Sequence, residues 1–128
     1  MPTRTPVTAA DAPRAIGPYS QAIWSDDHLF CSGQTPIDPA TGKLIEGDVG
    51  AQTDRALDNL EAVVRAAGLS MDDVVKCNVF LTDMRDFAEM NAAYGKRFAA
   101  PYPARSTVAV AGLPLGARVE IELVARRR

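Results

Sequence analysis

The sequence predicts a single α+β domain with the element order β-β-α-β-α-β-β and a mixed sheet carrying both helices on one face. Three observations predict it. Two stretches carry apolar residues at helical spacing, five short runs are rich in β-branched and apolar residues, and Gly/Pro clusters punctuate the boundaries without any repeat or linker. At 128 residues the chain is one ordinary domain, able to bury a core without staples.

Residues 1–18 hold prolines at 2, 6, 13 and 18 and no apolar period, so an irregular arm is expected up to the Ile16-Gly17-Pro18 turn. Strands at about Tyr19–Trp24 and Leu29–Ser32 follow, joined through Ser25-Asp26-Asp27 as a hairpin. A loop with Pro36, Pro39 and Gly42 leads through Lys43-Leu44-Ile45 to Asp48, the cap of a long helix. Ala56, Leu57, Leu60, Val63, Val64 and Ala67 mark its apolar face, Asp54, Arg55, Asp58 and Glu61 its polar one, and Gly68 its end. In VVKCNVFLTD (74–83), Val75, Cys77, Val79 and Leu81 alternate with Lys76 and Asn78, the pattern of a strand buried mainly on one side. Asp86-Phe87 opens the second helix, whose stripe is Phe87, Met90, Asn91, Tyr94 and Phe98, closed by Ala100-Pro101. Strands over Ala104–Val110 and Arg118–Ala125, joined by GLPLG (112–116), complete the order. Two helices cover one face of such a sheet, and the other is expected to carry Thr107, Ala109, Glu120 and Glu122. A copy of the same chain is the economical cover for that second face.

Composition narrows the chemistry. With 14 Lys+Arg against 16 Asp+Glu, the net charge of −2 offers no field to gather phosphates or an anionic membrane, so neither nucleic acid nor membrane is expected. Cys31 and Cys77 fall in apolar strands and read as reduced core residues. No apolar run is long enough for a membrane span or a signal peptide, which points to a cytoplasmic protein. One histidine, His28, in a probable turn, with no Cys/His cluster, argues against a closed zinc site and a Ser-His-Asp triad. No glycine-rich nucleotide fingerprint is present. Any catalysis here must run on carboxylate, hydroxyl, guanidinium, backbone amide and water, and no metal or cofactor is expected.

Four stretches can supply those groups. In YPARSTVAV (102–110), Arg105 stands at the mouth of a strand, either as a bidentate fork for a carboxylate or as an ion-pair partner of Glu120 or Glu122. In RVEIELVA (118–125), Glu120 and Glu122 lie two apart and share a face, either as a solvent-facing acidic stripe or as a close pair in which each raises the other's pKa. In FCSGQTP (30–36), Gly33 lets a backbone N–H approach a ligand, and Ser32 adds a hydroxyl. In IGPYSQAI (16–23), Tyr19 follows a rigid Gly-Pro and offers a phenol.

Together, in this order and spacing, these stretches resemble the Rid family, the reactive intermediate deaminases also called the YjgF type. The likeness is carried by Ile16-Gly17-Pro18-Tyr19-Ser20-Gln21, Ser32-Gly33-Gln34, Pro103-Ala104-Arg105-Ser106 and Val119-Glu120-Ile121-Glu122. AQTDRALDNLEAVVRAAG (51–68) and VVKCNVFLTDMRDFAEMNAAY (74–94) extend it over nearly the whole chain. The resemblance implies a chorismate-mutase-like fold, a homotrimer with clefts between subunits, and hydrolysis of imines such as 2-iminobutanoate, 2-iminopropanoate or 2-aminoacrylate to keto acids and ammonia. By the family's motifs, Arg105 would hold the substrate carboxylate with the Gly33 N–H, Glu120 would orient water and handle protons, and Tyr19 and Ser32 would line the pocket. Asn91 and Thr107 would add substrate contacts. Thr107 stands where the family often has cysteine, which argues against thiol-dependent behaviour. The rival readings are a non-catalytic binder or sensor of small carboxylates, and a ribonuclease or translation inhibitor, for which only Arg126-Arg127-Arg128 supplies basic surface.

Overall fold

The computed structural model describes residues 3–128. Eight strands and two α-helices form in the order β1 (Arg4–Val7), β2 (Ala22–Ser25), β3 (His28–Gln34), β4 (Ile37–Asp38), β5 (Lys43–Leu44), α1 (Val49–Ala66), β6 (Val74–Leu81), α2 (Phe87–Gly95), β7 (Ala104–Ala109) and β8 (Val119–Arg126). Six strands make one sheet in the order β1-β2-β3-β8-β6-β7, and β4 and β5 pair separately. Neighbours in the large sheet run antiparallel except β6 and β7, which run parallel because α2 carries the chain back between them. The α+β class, the mixed sheet and the two helices on one face are as the sequence predicts.

α1 starts where Asp48 accepts a hydrogen bond from the Ala51 N–H at 2.9 Å and stops before Gly68, whose φ of +83° suits a residue without Cβ. Its apolar face buries Val49, Ala56, Leu57, Leu60, Val63 and Val64 against the sheet's Leu29, Cys77, Val79, Leu81, Val119, Ile121 and Leu123. Truncating one of the buried leucines to Ala costs about 2–5 kcal/mol, a large share of a domain's stability. Arg97, after α2, ties the helices together through Asp54, Asp58 and Glu61 of α1.

Five expectations change. The arm read as irregular contains β1, an edge strand paired with β2 from Arg4↔Ser25 to Val7↔Ala22. Pro6 is tolerated there because an edge strand has a side with no ladder partner. The first hairpin strand begins at Ala22 and not at Tyr19, since the buried Gln21 side chain bonds the backbone of Ala9 and Pro13 and holds the preceding residues in a loop. Val75 is 44% exposed because a register shift between Val74 and Lys76 turns it outward and puts Val74 in the core. α2 ends at Gly95, so Phe98 reaches Tyr94 from the following coil, with ring centroids 4.8 Å apart. Thr107 and Ala109 lie on the helix-covered face, opposite that of Glu120 and Glu122, because they pair in register with Val79 and Leu81. His28 is the exposed first residue of β3. Both cysteines are free and buried. Among the described residues no helix is long and apolar enough to cross a membrane.

Candidate functional site

The predicted residues gather into two groups on opposite sides of the sheet. The first forms where β3 bulges. Cys31 pairs with Leu123 and Gln34 with Ile121, so Ser32 and Gly33 have no register partners on β8. Glu120 fills the space this opens. A Cβ built on Gly33 would stand 2.5 Å from Glu120 Oε2, so the glycine is what lets the carboxylate lie against the backbone. Burial raises the Glu120 pKa above its ordinary value, and the like charge of Glu122 raises it further. Glu122 itself accepts a hydrogen bond from Asn78 Nδ2 at 3.0 Å.

Ser32 ties this strand to the loop bearing Tyr19. Its N–H donates to the Gln21 carbonyl at 2.9 Å and its hydroxyl to the Ser20 carbonyl at 2.6 Å. Tyr19, next to these anchors, lines a cavity of about 710 Å³ with Gly33, Ile16 and Leu115. Ile16 and Leu115 are 83% and 65% exposed, so the cavity has an apolar rim.

The second group lies on the helix side of β7. Arg105 pairs in register with Cys77, whose side chain is fully buried beneath the helices. The guanidinium rests on two rings of α2, 4.7 Å from the Tyr94 centroid and 5.7 Å from that of Phe87. With Asn91, Tyr94, Tyr102 and Pro103 it lines a cavity of about 450 Å³. Thr107, two residues on and on the same face, has a buried hydroxyl with no hydrogen-bond partner.

Glu120 pairs with Phe80 and Glu122 with Asn78, on the face turned away from the helices. Arg105 therefore does not pair with either glutamate of its own chain, and among the described residues it forms no ion pair at all. One chain thus carries Tyr19, Ser32, Gly33 and Glu120 in one group, and Asn91, Arg105 and Thr107 in another. Nothing in the sequence marks Tyr94 and Phe87 as partners of Arg105, because a helical stripe looks the same whether its rings face aliphatic side chains or a guanidinium. Nor does the sequence mark Leu115, whose φ of 61° and ψ of 15° inside GLPLG carry no signal in a leucine.

Comparison with known proteins bears on this arrangement. Residues 9–127 match the family described as Endoribonuclease L-PSP. The chain belongs to this family, the Rid or YjgF family. It is 49% identical to Protein DfrA of Myxococcus xanthus over 124 residues, 95% of each chain. It is 46% identical to the 2-iminobutanoate/2-iminopropanoate deaminase of Escherichia coli K12 over 125 residues, 95% of this chain and 97% of that one. Among solved structures, E. coli TdcF with bound serine superposes with a TM-score of 0.90 at 42% identity, covering 97% of this chain and 99% of that one. The Rid resemblance in the sequence is thus matched along almost the full chain.

Proposed function

We propose that this protein is a cofactor-independent imine deaminase that works as a homotrimer, each site being completed between two copies. The observation that carries the reading is the split: an unpaired Arg105 on one face of the sheet and the Gly33-Glu120 pair on the other. Neither half is sufficient alone, and both belong to every copy. A neighbour covering the open face, where Phe30 and Val108 are 50% and 47% exposed, would bring one chain's Glu120 half toward another's Arg105 half. The relatives named as deaminases and the serine-bound relative support a small amino-acid-derived carboxylate as the ligand.

In this reading the Arg105 fork and the Gly33 N–H hold the carboxylate of a 2-imino acid, with Asn91 and Thr107 beside them. Thr107's unpartnered hydroxyl supplies a donor already buried. Glu120 takes a proton from water as its oxygen bonds to the iminium carbon, and the carbinolamine forms. Glu120 then gives that proton to the nitrogen and takes the hydroxyl proton as the C–N bond breaks, so that ammonia leaves and a carbonyl remains. Ser32, whose hydroxyl hydrogen is committed to the Ser20 carbonyl, offers only lone pairs, suited to accepting from the iminium N–H. Tyr19 closes the pocket wall. The iminium carbon is already electrophilic, so orientation and one acid/base group, worth ~10²–10⁴-fold, are sufficient.

A carrier of small carboxylates would need Arg105 but not Glu120. A ribonuclease would need free basic surface, yet in the tail Arg127 stacks on Trp24 and Arg128 pairs with Asp73. The test is titration of Arg105→Ala and Glu120→Gln with pyruvate or 2-oxobutanoate, beside rates of imine hydrolysis in a coupled assay. Arg105→Ala should lose both binding and turnover, and Glu120→Gln turnover alone. Normal turnover by Glu120→Gln removes the proton-handling role; wild-type binding by Arg105→Ala removes the fork.

A further inference from the structure

Arg105 is held in an unusual way for an arginine with a binding role. Such a side chain has several rotatable bonds, and its fork recognises a carboxylate only when oriented. The common solution is an Asp or Glu behind it. Arg105 has none: no ion pair and no side-chain hydrogen bond fixes it among the described residues, and what it touches are the faces of two rings.

Those rings are placed by the helix. Phe87 and Tyr94 are seven residues apart, two turns of α2, and so lie on one face beneath β7. Tyr94 is the nearer, at 4.7 Å, and the more rigid. It is 4% exposed, packs on Phe98 at 4.8 Å, and has the Cys77 thiol beside its hydroxyl. Both rings lie within the ~6 Å over which a guanidinium is attracted to an aromatic face. The Tyr94 hydroxyl has only that thiol, a weak partner, beside it and makes no hydrogen bond to the guanidinium, so it is the ring and not the phenol that holds Arg105.

We infer that Tyr94, seconded by Phe87, is a positioning residue that holds the Arg105 fork ready for the substrate carboxylate without neutralising it. A carboxylate in that place would also fix the guanidinium, but it would occupy the in-plane donors and cancel the charge that the substrate must meet. A ring contacts the guanidinium's face and leaves the edge N–H groups free. This inference rests on the assignment of Arg105 as the carboxylate fork.

The test is calorimetric titration of the full-length protein with pyruvate or 2-oxobutanoate, with KM, kcat and melting temperature measured alongside. Tyr94→Leu should weaken keto-acid binding roughly three- to thirtyfold, the range expected for loss of one cation–π contact, and raise KM more than it lowers kcat. Tyr94→Phe should recover most of that affinity, and its melting temperature should change little, since the hydroxyl it removes has only the weakly bonding Cys77 thiol beside it. Phe87→Leu should weaken binding in the same direction by less, and it decides the matter if Tyr94→Leu does not fold. Wild-type affinity in Tyr94→Leu, or in Phe87→Leu where the former is unfolded, overturns the inference while Arg105→Ala still loses binding. Equal losses in Tyr94→Phe and Tyr94→Leu also overturn it. Wild-type binding by Arg105→Ala instead overturns the fork itself.

Discussion

Replacing Gly33 by alanine adds one methyl group in the place where the structure is least able to take it without moving Glu120. The new Cβ would lie 2.5 Å from Glu120 Oε2 and 3.0 Å from its carboxyl carbon. Ordinary van der Waals separation requires the oxygen to withdraw by about 1 Å. The backbone does not oppose the change, because Gly33 lies outside the positive-φ region, and the obstructing atom is the end of a flexible side chain. The variant should therefore fold, with a melting temperature close to wild type, and carry its carboxylate about 1 Å from the working position. Displacement on that scale costs about 10²-fold in rate. The coupled imine assay should show this loss in kcat, and in a Glu120→Ala background Gly33→Ala should cost little more, since the group it displaces is already gone. Near-wild-type turnover by the folded variant, or a full additional loss in the Glu120→Ala background, would mean that Gly33 does not act by seating the Glu120 carboxylate.

Glu120 also sets the response to acid. A glutamate with a raised pKa takes up its proton at a higher pH than an ordinary one, at about 4.3, so the rate should fall as pH drops through a midpoint above that value. Glu122→Gln, which removes the like charge, should move the limb toward acid; an unmoved limb detaches it from Glu120. The thiols should be inert in the native protein. Burial and the neighbouring Cys77 push the Cys31 thiol up to about 12, and burial also raises Cys77. Native protein should keep its turnover under a thiol reagent, and both thiols should react only on unfolding; rapid inactivation of the folded form would contradict this.

Much of this fold was legible because its signals are local. The Asp48 cap, the α1 stripe and the Gly68 stop each follow from a few neighbouring residues, and the α+β order follows from those elements. β1 was not legible: a short edge strand containing Pro6 has no period to display, and only pairing with β2 makes it a strand. Val75 departs from the alternation because a bulge inverts it without changing composition. At the site, residue identities were readable in Arg105, Gly33 and Glu120, while their sides of the sheet were not. Thr107 shows why, since the face of a β7 residue depends on its register with β6, which the sequence of β7 does not contain. The aromatic support of Arg105 was hidden in what read as an ordinary core stripe.

If a working site takes Arg105 from one copy and Glu120 from another, two variants that are each dead alone should restore activity when mixed. Arg105→Ala and Glu120→Gln, each inactive alone, would be unfolded together at equal concentration and refolded, with light scattering used to establish the trimer's mass. In a randomly assembled trimer about a quarter of the clefts draw an intact Arg105 from one neighbour and an intact Glu120 from the other. The mixture should therefore recover roughly a quarter of the wild-type rate of imine hydrolysis. A mixture no more active than the sum of its parents, in trimers shown to contain both chains, would mean that no site is shared between copies.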